Sequence, residues 1–275
     1  MQAANRVQKA LRKGGASFGA WQMLPSTNLS RAIARTGYDW ILVDTEHGNI
    51  ADQSMHECVA AIAACGVSPL VRIAANEPWM VKRALDAGAH GVIVPLLYTA
   101  DDARKLGTRG FGSPFPMEKF LGSGGEITTQ DYLLQANDAL LTVVQIETKE
   151  ALANVKEIAA VDGVDVLFIG PFDLGNNIGH PIMNLKMDDE LKDAIAKIHQ
   201  AATEAGKKTG IYCTGGDQAR EYADKGFHMI SAMTDMIAIP QGFSDALAKA
   251  KGSWGHAAVQ GVKEGVSKMT GPYGK

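Results

Sequence analysis

The sequence predicts an α/β fold, a single (β/α)8 or TIM barrel with an N-terminal helix and a C-terminal arm. The chain has 275 residues, and one barrel of about 250 residues accounts for most of that length. Short apolar runs alternate with helical patterns, and polar residues follow several of these runs. An open, doubly wound sheet is the alternative, but the GxGxxG turn that usually accompanies it is absent from the sequence.

Eight apolar runs supply the predicted strands. Each is short and mostly apolar, as strands are when both faces of a parallel sheet are covered. The strands are predicted at residues 17–21, 40–43, 70–73, 92–94, 142–146, 166–169, 209–213 and 228–231. Helices are predicted at 28–36, 53–65, 78–87, 99–106, 148–160, 189–205, 217–225 and 235–250, with an amphipathic pattern at the N-terminus. Asn28, Asp52 and Thr99 precede three of these patterns and are typical helix caps.

Two segments interrupt the alternation. Residues 107–138 are rich in Gly, Pro and aromatic residues and are too long for an ordinary loop, which predicts a functional segment. The glycine-rich C-terminus follows the last helical pattern. We therefore expect residues 1–250 to form one barrel domain and residues 251–275 to form a tail or subunit-contact arm.

The net charge limits the classes of binding partner, and the cysteine content limits the kinds of disulfide or metal site. The formal net charge is −3 and the pI about 6.2, so we expect no nucleic acid and no membrane partner. The three cysteines form no CxxC pair, which argues against a disulfide scaffold or a zinc knuckle. The N-terminus lacks the apolar region of a signal peptide, and no uncharged apolar run approaches 18 residues. These features predict a cytoplasmic enzyme.

Polar side chains collect where the predicted strands end, which is where barrel enzymes build their active sites. Asp44 and His47 follow the second strand, and Arg72 lies near the end of the third. Glu147 and Asp173 follow the fifth and sixth strands. We therefore expect these five side chains to converge at one end of the barrel.

Glu147 and Asp173 are candidates for a divalent cation site. They follow adjacent strands, and two carboxylates without a nearby Cys or second His suit a hard cation that keeps water ligands. The alternative is that each carboxylate caps the helix that follows it. Position alone leaves the two interpretations about equal.

His47 and Arg72 also allow two interpretations each. A carboxylate at Asp44 that holds the His47 imidazole would make it a general base, whereas His47 could equally be a surface residue in a turn. Buried Arg72 needs an anion, which is either a substrate group or a protein carboxylate in a structural ion pair. Lysine is absent from the ends of the predicted strands, which disfavours Schiff-base chemistry.

Six motifs, taken together, resemble the HpcH/HpaI aldolase family of metal-dependent class II pyruvate aldolases. They are WILVDTEHG (40–48), PLVRI (69–73), LDAGAHGVIVPLL (85–97), RGFGSPF (109–115), VQIET (144–148) and GPFDLGNNIGHP (170–181). The resemblance covers residues 5–250 in order. RGFGSPFPM and GPFDLGNNIGHP are most similar to the macrophomate synthase branch. The chain departs from the family pattern before Arg109, where a helix extension and a KYPP-type loop are missing.

The resemblance implies roles for the predicted site residues. It implies that Glu147 and Asp173 bind Mg²⁺, Mn²⁺ or Co²⁺, that His47 held by Asp44 is the acid/base, and that Arg72 stabilises a pyruvate enolate. It also implies a substrate-binding set, in which Trp21 lines the pocket, Gln145 lies against pyruvate, and the backbone of Gly170, Pro171 and Phe172 supports the substrate carboxylate.

The resemblance further implies an activity. The expected reaction is cleavage of a 4-hydroxy-2-oxo acid to pyruvate and an aldehyde through a metal-stabilised enolate. The alternatives are decarboxylation of oxaloacetate with joining of the enolate to a 2-pyrone, and a non-catalytic homologue impaired by the shortened loop before Arg109. The family also implies a homo-oligomer, a hexamer or trimer of dimers.

Overall fold

The computed structural model of the protein describes residues 4–107 and 128–252. It contains a closed barrel of eight parallel strands, paired in chain order with the last strand against the first. This confirms the predicted α/β (β/α)8 fold. The strands are β1 (Ser17–Gln22), β2 (Trp40–Asp44), β3 (Ser68–Arg72), β4 (Gly91–Val94), β5 (Leu141–Ile146), β6 (Val166–Ile169), β7 (Lys208–Tyr212) and β8 (Met229–Thr234).

One helix precedes β1, and the others follow the strands on the outside of the barrel. They are α1 (Arg6–Lys13), α2 (Thr27–Ala34), α3 (Asp52–Ala63), α4 (Pro78–Asp86), α5 (Ala100–Gly107), α6 (Thr129–Ala139), α7 (Lys149–Ala153), α8 (Val155–Ala159), α9 (Pro171–Ile178), α10 (Asp189–Glu204), α11 (Gly216–Asp224) and α12 (Asp235–Lys251). The predicted helix over 148–160 is two short helices, because Asn154 leaves helical geometry at φ −93°, ψ 10°.

Three helix starts differ from the prediction. Ser26 rather than Asn28 caps α2, since its hydroxyl accepts the Leu29 N–H at 3.2 Å. Asp52 is the first residue of α3 and makes no capping bond; Ala51 precedes it. The end of segment 107–138 is helix α6, which a reciprocal Thr128–Asp131 capping box begins. Thr99, in contrast, caps α5 as predicted, because its hydroxyl accepts the Asp102 N–H at 3.2 Å.

Side chains fill the barrel, and α1 closes its N-terminal end. Val7 and Leu11 of α1 pack in the same buried cluster as Trp40 and Phe168. Trp40 requires a glycine opposite it, because a Cβ at Gly19 would lie 2.1 Å from the indole ring. A filled interior leaves only the C-terminal end of the barrel open, which is where the site lies.

α12 differs from the other long helices in its packing. Of its residues only Asp235 is buried, and Met236, Phe243 and Leu247 are among the exposed large apolar side chains. Residues 253–275 lie outside the described part of the chain, so the division into a barrel and a C-terminal arm stays a prediction. Within residues 4–107 and 128–252, no helix has the length and apolar character to cross a membrane.

Candidate active site

A buried ion pair lies at the C-terminal end of the barrel. Asp44 ends β2 and is the register partner of Arg72 at the end of β3. Arg72 Nε donates to Asp44 Oδ1 at 2.9 Å and Arg72 Nη2 donates to Asp44 Oδ2 at 2.5 Å. Burial alone would raise the pKa of Asp44, but the guanidinium holds it below its usual value. Burial disfavours the charged form of Arg72 too, but Asp44 raises the pKa of Arg72 above the ordinary value.

Trp21 supports this pair from β1. Its indole Nε1 donates to Asp44 Oδ2 at 2.9 Å, and Arg72 Cζ lies 4.9 Å from the centre of its ring. Cation–π attraction and the hydrogen bond together fix the plane of the guanidinium. The structural ion pair that the sequence left open for Arg72 is therefore formed, while Arg72 still lines the open cavity.

The expected contact between Asp44 and the His47 imidazole is not formed. Asp44 Oδ1 accepts the backbone N–H groups of Glu46 and His47 at 3.0 and 3.2 Å, and the remaining partners of the carboxylate are Arg72 and Trp21. Among the described residues, Asp44 thus holds His47 through its backbone. The β2–β3 register is the reason, because it brings Arg72 to Asp44 first. The imidazole itself lines the cavity.

Glu46 joins the site, although the sequence analysis gave it no role. Its Oε2 lies 2.9 Å from Arg72 Nη1, so Glu46 is a second carboxylate paired with this guanidinium. Burial raises the pKa of Glu46, and the nearby carboxylates Asp44 and Asp173 add to that, against the opposing effect of Arg72 and His47. An acidic residue two positions beyond a strand-end aspartate was the signal available in the sequence.

Glu147 is buried directly after β5. Its Oε1 accepts the Leu96 N–H at 2.7 Å and its Oε2 accepts from Gln145 Nε2 at 2.6 Å. Leu96 has φ 53°, a left-handed conformation unfavourable for leucine, at the residue that donates to this carboxylate. Burial raises the pKa of Glu147 to about 8, with Asp173 and Glu46 contributing in the same direction.

Asp173 approaches from the first turn of α9. Pro171 begins that helix, and Asp173 lines the cavity. Gly170 makes room for the neighbouring carboxylate, because a Cβ there would lie 2.8 Å from Glu147 Oε2 and 3.2 Å from Gln145 Nε2. Helix capping accounts for neither carboxylate. Thr148 rather than Glu147 caps α7, and Asp173 makes no capping bond because α9 has no side-chain cap.

The donor set fits a divalent cation. Burial raises the pKa of Glu147, and Asp173 and Glu46 add to the shift, so the three carboxylates lie within electrostatic range of one another. Carboxylate oxygens that repel one another in a buried site are what a hard cation neutralises. Elsewhere in the described residues, His180, Asp188 and Glu190 place three potential ligand atoms within 4.8 Å, at the partly exposed start of α10, where Asp188 is the helix cap.

A cavity of about 420 Å³ opens above these groups. It brings together most of the predicted site residues, while Asp44 and Glu147 lie behind its wall. The predicted residues that line it are Trp21, His47, Arg72, Gln145, Gly170, Pro171, Phe172 and Asp173. The sequence analysis missed the remainder, which are Met23, Phe168, Tyr212, Thr214, Thr234, Met236, Ile237 and Pro240. These are mostly apolar residue types that are equally common in cores, so they carry no chemical signal.

Comparison with known proteins decides the family. The sequence model of the HpcH/HpaI aldolase/citrate lyase family matches residues 17–239, from the start of β1 into α12. The chain belongs to this family. That range contains every predicted site residue, and it confirms the resemblance seen in the six motifs.

Named relatives agree on the type of reaction. The chain is 34% identical over 256 residues to the hydroxypyruvate/pyruvate aldolase of Rhizorhabdus wittichii, with 90% of this chain and 99% of the relative covered. It is 34% identical over 253 residues to the 4-hydroxy-2-oxo-heptane-1,7-dioate aldolase of Klebsiella pneumoniae, with 89% and 92% covered. This family member is therefore an enzyme, a carbon–carbon lyase of the aldolase type.

Solved structures agree on the fold. An HpcH/HpaI aldolase/citrate lyase family protein from Burkholderia cenocepacia superposes with a TM-score of 0.79 at 32% identity, over 90% of this chain and 100% of that one. Macrophomate synthase superposes with a TM-score of 0.77 at 22% identity, over 89% of this chain and 88% of that one. At that identity, the likeness to macrophomate synthase concerns the fold.

Proposed function

We propose that this aldolase cleaves a 4-hydroxy-2-oxo acid to pyruvate and an aldehyde with a divalent cation, Mg²⁺, Mn²⁺ or Co²⁺. The observation that carries the proposal is the arrangement of opposite charges around one cavity. Asp173 and the guanidinium of Arg72 both line it, and Glu147 lies behind the lining, joined to Arg72 through the amide of Gln145. A 2-oxo acid that becomes an enolate needs both a cation binding site and a fixed positive group.

Glu147 and Asp173 would hold the cation, with Glu46 close enough to add negative charge. The cation, when bound, supplies Lewis-acid stabilisation of the enolate oxygen, which is worth several kcal/mol in a site that excludes water. Gln145 fixes the first ligand, because its Nε2 donates to Glu147 Oε2. Its Oε1 lies 3.5 Å from Arg72 Nη1, so the amide links the Glu147 carboxylate to the Arg72 guanidinium.

Arg72 would bind the substrate's oxo-acid oxygens and the developing enolate. Asp44 and Trp21 already fix its plane, so no reorganisation of the guanidinium is needed as charge develops. The backbone of Gly170, Pro171 and Phe172, at the start of α9, lies beside this position and would orient the substrate carboxylate. Trp21 closes the floor of the cavity.

His47 would move the proton. Its imidazole lines the cavity beside Arg72, and its backbone N–H is held by Asp44. In the cleavage direction, the C4 hydroxyl loses its proton to His47 as the C3–C4 bond breaks and the electron pair passes to the enolate. Asp44 is then a positioning residue for both Arg72 and His47.

Decarboxylation of oxaloacetate is the second candidate function. The same enolate forms when CO₂ leaves, and no hydroxyl proton has to be removed. Asp44 holds the Arg72 guanidinium in place without any contribution from the His47 ring. That independence is the observation in favour of this second activity. A non-catalytic homologue, the third reading, would not need these groups.

A homo-oligomer, with a hexamer as the expected size, is also part of the proposal. Phe243 and Leu247 lie along α12 with large exposed fractions of 76% and 48%. Their spacing of four residues puts them on one side of the helix. A second copy of the chain that covers this side would remove the apolar surface from water. Sedimentation analysis tests this directly.

Pyruvate release tests the proposed activity. The assay supplies 4-hydroxy-2-oxopentanoate with Mn²⁺ and follows pyruvate with lactate dehydrogenase. Glu147→Gln, which keeps the shape of the side chain and removes its charge, should lose cleavage activity by about 10²-fold or more. Glu150→Gln, three residues away on exposed α7, is the matched control and should keep activity. Equal activity in wild type and Glu147→Gln would contradict the proposal.

A further inference from the structure

The cavity has a charged side and an uncharged side. Because the strands pair in chain order, the C-terminal ends of β2 to β6 form one side of the opening. His47, Arg72, Gln145 and Asp173 belong to these ends. The ends of β7, β8 and β1 form the other side. This second side, which we call the β7–β8–β1 wall, consists of Tyr212, Thr214, Thr234, Met236, Ile237, Pro240 and Met23.

The β7–β8–β1 wall carries no cationic side chain among the described residues that line it. Its apolar part comes from two segments, Met23 after β1 and the first residues of α12. Behind it, the carboxylate of Asp235 is bound to backbone N–H groups. An anion placed against the wall would therefore find no positive partner among the residues that form it.

Asp235 fixes the two segments relative to each other. Its carboxylate accepts the backbone N–H of Met23 at 3.0 Å, that of Leu24 at 2.9 Å and that of Met236 at 2.8 Å. These bonds join the loop after β1 to the start of α12. The wall is thus a built surface and not a chance gathering of apolar side chains.

Aromatic contacts mark the boundary between the two sides. Tyr212 lies 5.2 Å from Trp21 in an edge-to-face arrangement and 6.2 Å from Phe172. Trp21 also supports Arg72. These rings thus lie where the wall meets the charged side, and they give the second substrate a surface for apolar contact.

We propose that the aldehyde partner is uncharged and apolar beyond its carbonyl group, and that the β7–β8–β1 wall selects it. The inference rests on the proposed aldolase function and names the substrate class for the same site. It differs from the substrate in the name of the Klebsiella pneumoniae relative, a 1,7-dioate, which carries a carboxylate at the far end.

In the synthetic direction the reaction balances without any other reactant. Pyruvate loses a C3 proton to form the enolate, and C3 forms a bond to the aldehyde carbon. The aldehyde oxygen gains the proton, which gives a 4-hydroxy-2-oxo acid. The substituent of the aldehyde carbon then points away from Arg72 and Asp173, toward the wall.

A matched pair of four-carbon aldehydes tests the selection. Butanal and succinic semialdehyde differ in that the second ends in a carboxylate. We expect kcat/KM with pyruvate and Mn²⁺ to be about tenfold or more higher for butanal, because the wall leaves the carboxylate unpaired. Hexanal should exceed butanal, since each further CH₂ adds buried apolar surface. A rate for succinic semialdehyde equal to or above that for butanal overturns the proposal.

A charge placed in the wall should reverse the preference. Met236→Lys should raise the ratio of succinic semialdehyde to butanal kcat/KM by about tenfold. The control is Ala238→Lys, which adds the same charge to the same helix at an exposed position outside the cavity lining, and which should leave the ratio unchanged. An unchanged ratio in Met236→Lys, with melting temperature and pyruvate KM near wild type, contradicts the role of the wall.

Binding without turnover separates this inference from the proposed activity. Butyramide and succinamate are unreactive analogues of the two aldehydes, and saturation-transfer NMR measures their binding to the wild-type protein with Mn²⁺ replaced by diamagnetic Mg²⁺. Preferential binding of butyramide that Met236→Lys removes supports the wall even if no pyruvate is released, in which case only the proposed function fails. Preferential binding of succinamate to wild type overturns the inference.

Discussion

Asp44 and Arg72 are register partners on adjacent strands, and their side chains form a buried pair with two hydrogen bonds. This pairing separates two functional groups of the site. The Asp44 carboxylate pairs with the guanidinium of Arg72, and its bond to His47 is to the backbone N–H. The group that stabilises negative charge and the group that moves a proton are therefore separate units. A substitution can disturb one of them and leave the other in place.

Metal removal is the first test. Burial, with the nearby charges of Asp173 and Glu46, raises the pKa of Glu147 to about 8. EDTA should abolish pyruvate release, and added Mg²⁺, Mn²⁺ or Co²⁺ should restore it, because a cation is needed both to neutralise these groups and to stabilise the enolate. Full activity in EDTA, or a lysine adduct trapped with borohydride, would exclude a class II mechanism.

Arg72→Lys tests the planar guanidinium. Lysine keeps the charge but cannot donate two parallel hydrogen bonds to Asp44, so its ammonium group would not be fixed in the same place. We expect kcat for cleavage to fall by about 10²-fold or more. Measurement at saturating Mn²⁺ prevents loss of metal from being mistaken for loss of the guanidinium.

Arg83→Lys is the matched control for that experiment. Arg83 also pairs with an aspartate, Asp52, but both side chains are about half exposed and neither lines the cavity. Such a surface pair contributes about 0–1 kcal/mol to stability, so activity and melting temperature should stay near wild type. If Arg72→Lys changes only KM, Arg72 binds the ground state and does not stabilise the enolate.

Gly170→Ala tests the space around the metal ligand. The added Cβ would lie 2.8 Å from Glu147 Oε2 and 3.2 Å from Gln145 Nε2, so one of the two side chains must move. We expect Mn²⁺ affinity, measured by calorimetry, to fall by about tenfold or more. Gly216→Ala meets no atom within 4 Å and should bind Mn²⁺ as wild type does. Equal affinity in both variants would show that the ligand position tolerates the added methyl group.

His228→Gln tests a pH dependence of stability away from the site. Burial lowers the pKa of His228 to about 4, with Lys208 and His199 contributing, and the Thr209 N–H points at its Nδ1 at 3.4 Å. The unfolded chain, with a pKa of 6.5, binds the proton first as the pH falls. The free energy of unfolding must therefore decrease between pH 6.5 and 4.

The size of that decrease follows from the shift and from exposure. A pKa shift from 6.5 to about 4 corresponds to about 3 kcal/mol of unfolding free energy. Because the His228 side chain is half exposed, we expect the decrease to be about 1–2 kcal/mol. Urea unfolding at pH 7 and pH 4.5 should show a smaller decrease for His228→Gln than for wild type by this amount. Parallel pH profiles of the two proteins would show that His228 titrates normally in the folded state.

The sequence was sufficient for the barrel because strands covered on both faces are continuous apolar runs. β6 (Val166–Ile169) is predicted without error, and the other strands differ only at their ends. Helix boundaries were predicted less accurately. The break at Asn154 and the cap at Ser26 depend on local hydrogen bonds that periodicity does not contain.

For the site, the sequence predicted which residues meet but not how they pair. His47 is three residues from Asp44, and Arg72 is 28 residues away, so proximity in sequence favoured the wrong partner for the carboxylate. Strand register decides the pairing, and register is a property of the assembled sheet. The apolar wall was missed for a different reason, since Met236 and Ile237 are ordinary residues of an amphipathic helix until the fold places them beside the cavity.

His47→Ala tests the separation between proton transfer and charge stabilisation. Cleavage of a 4-hydroxy-2-oxo acid needs a base for the C4 hydroxyl, whereas loss of CO₂ from oxaloacetate needs only the groups that stabilise the enolate. Since Asp44 holds Arg72 independently of the His47 ring, removing the ring should leave those groups in place. We expect cleavage to fall by about 10²–10⁴-fold and decarboxylation to fall much less. Both rates are measured on one preparation at saturating Mn²⁺. If the two rates fall by the same factor, His47 supports the cation site or the fold, and the proton must be removed by another group.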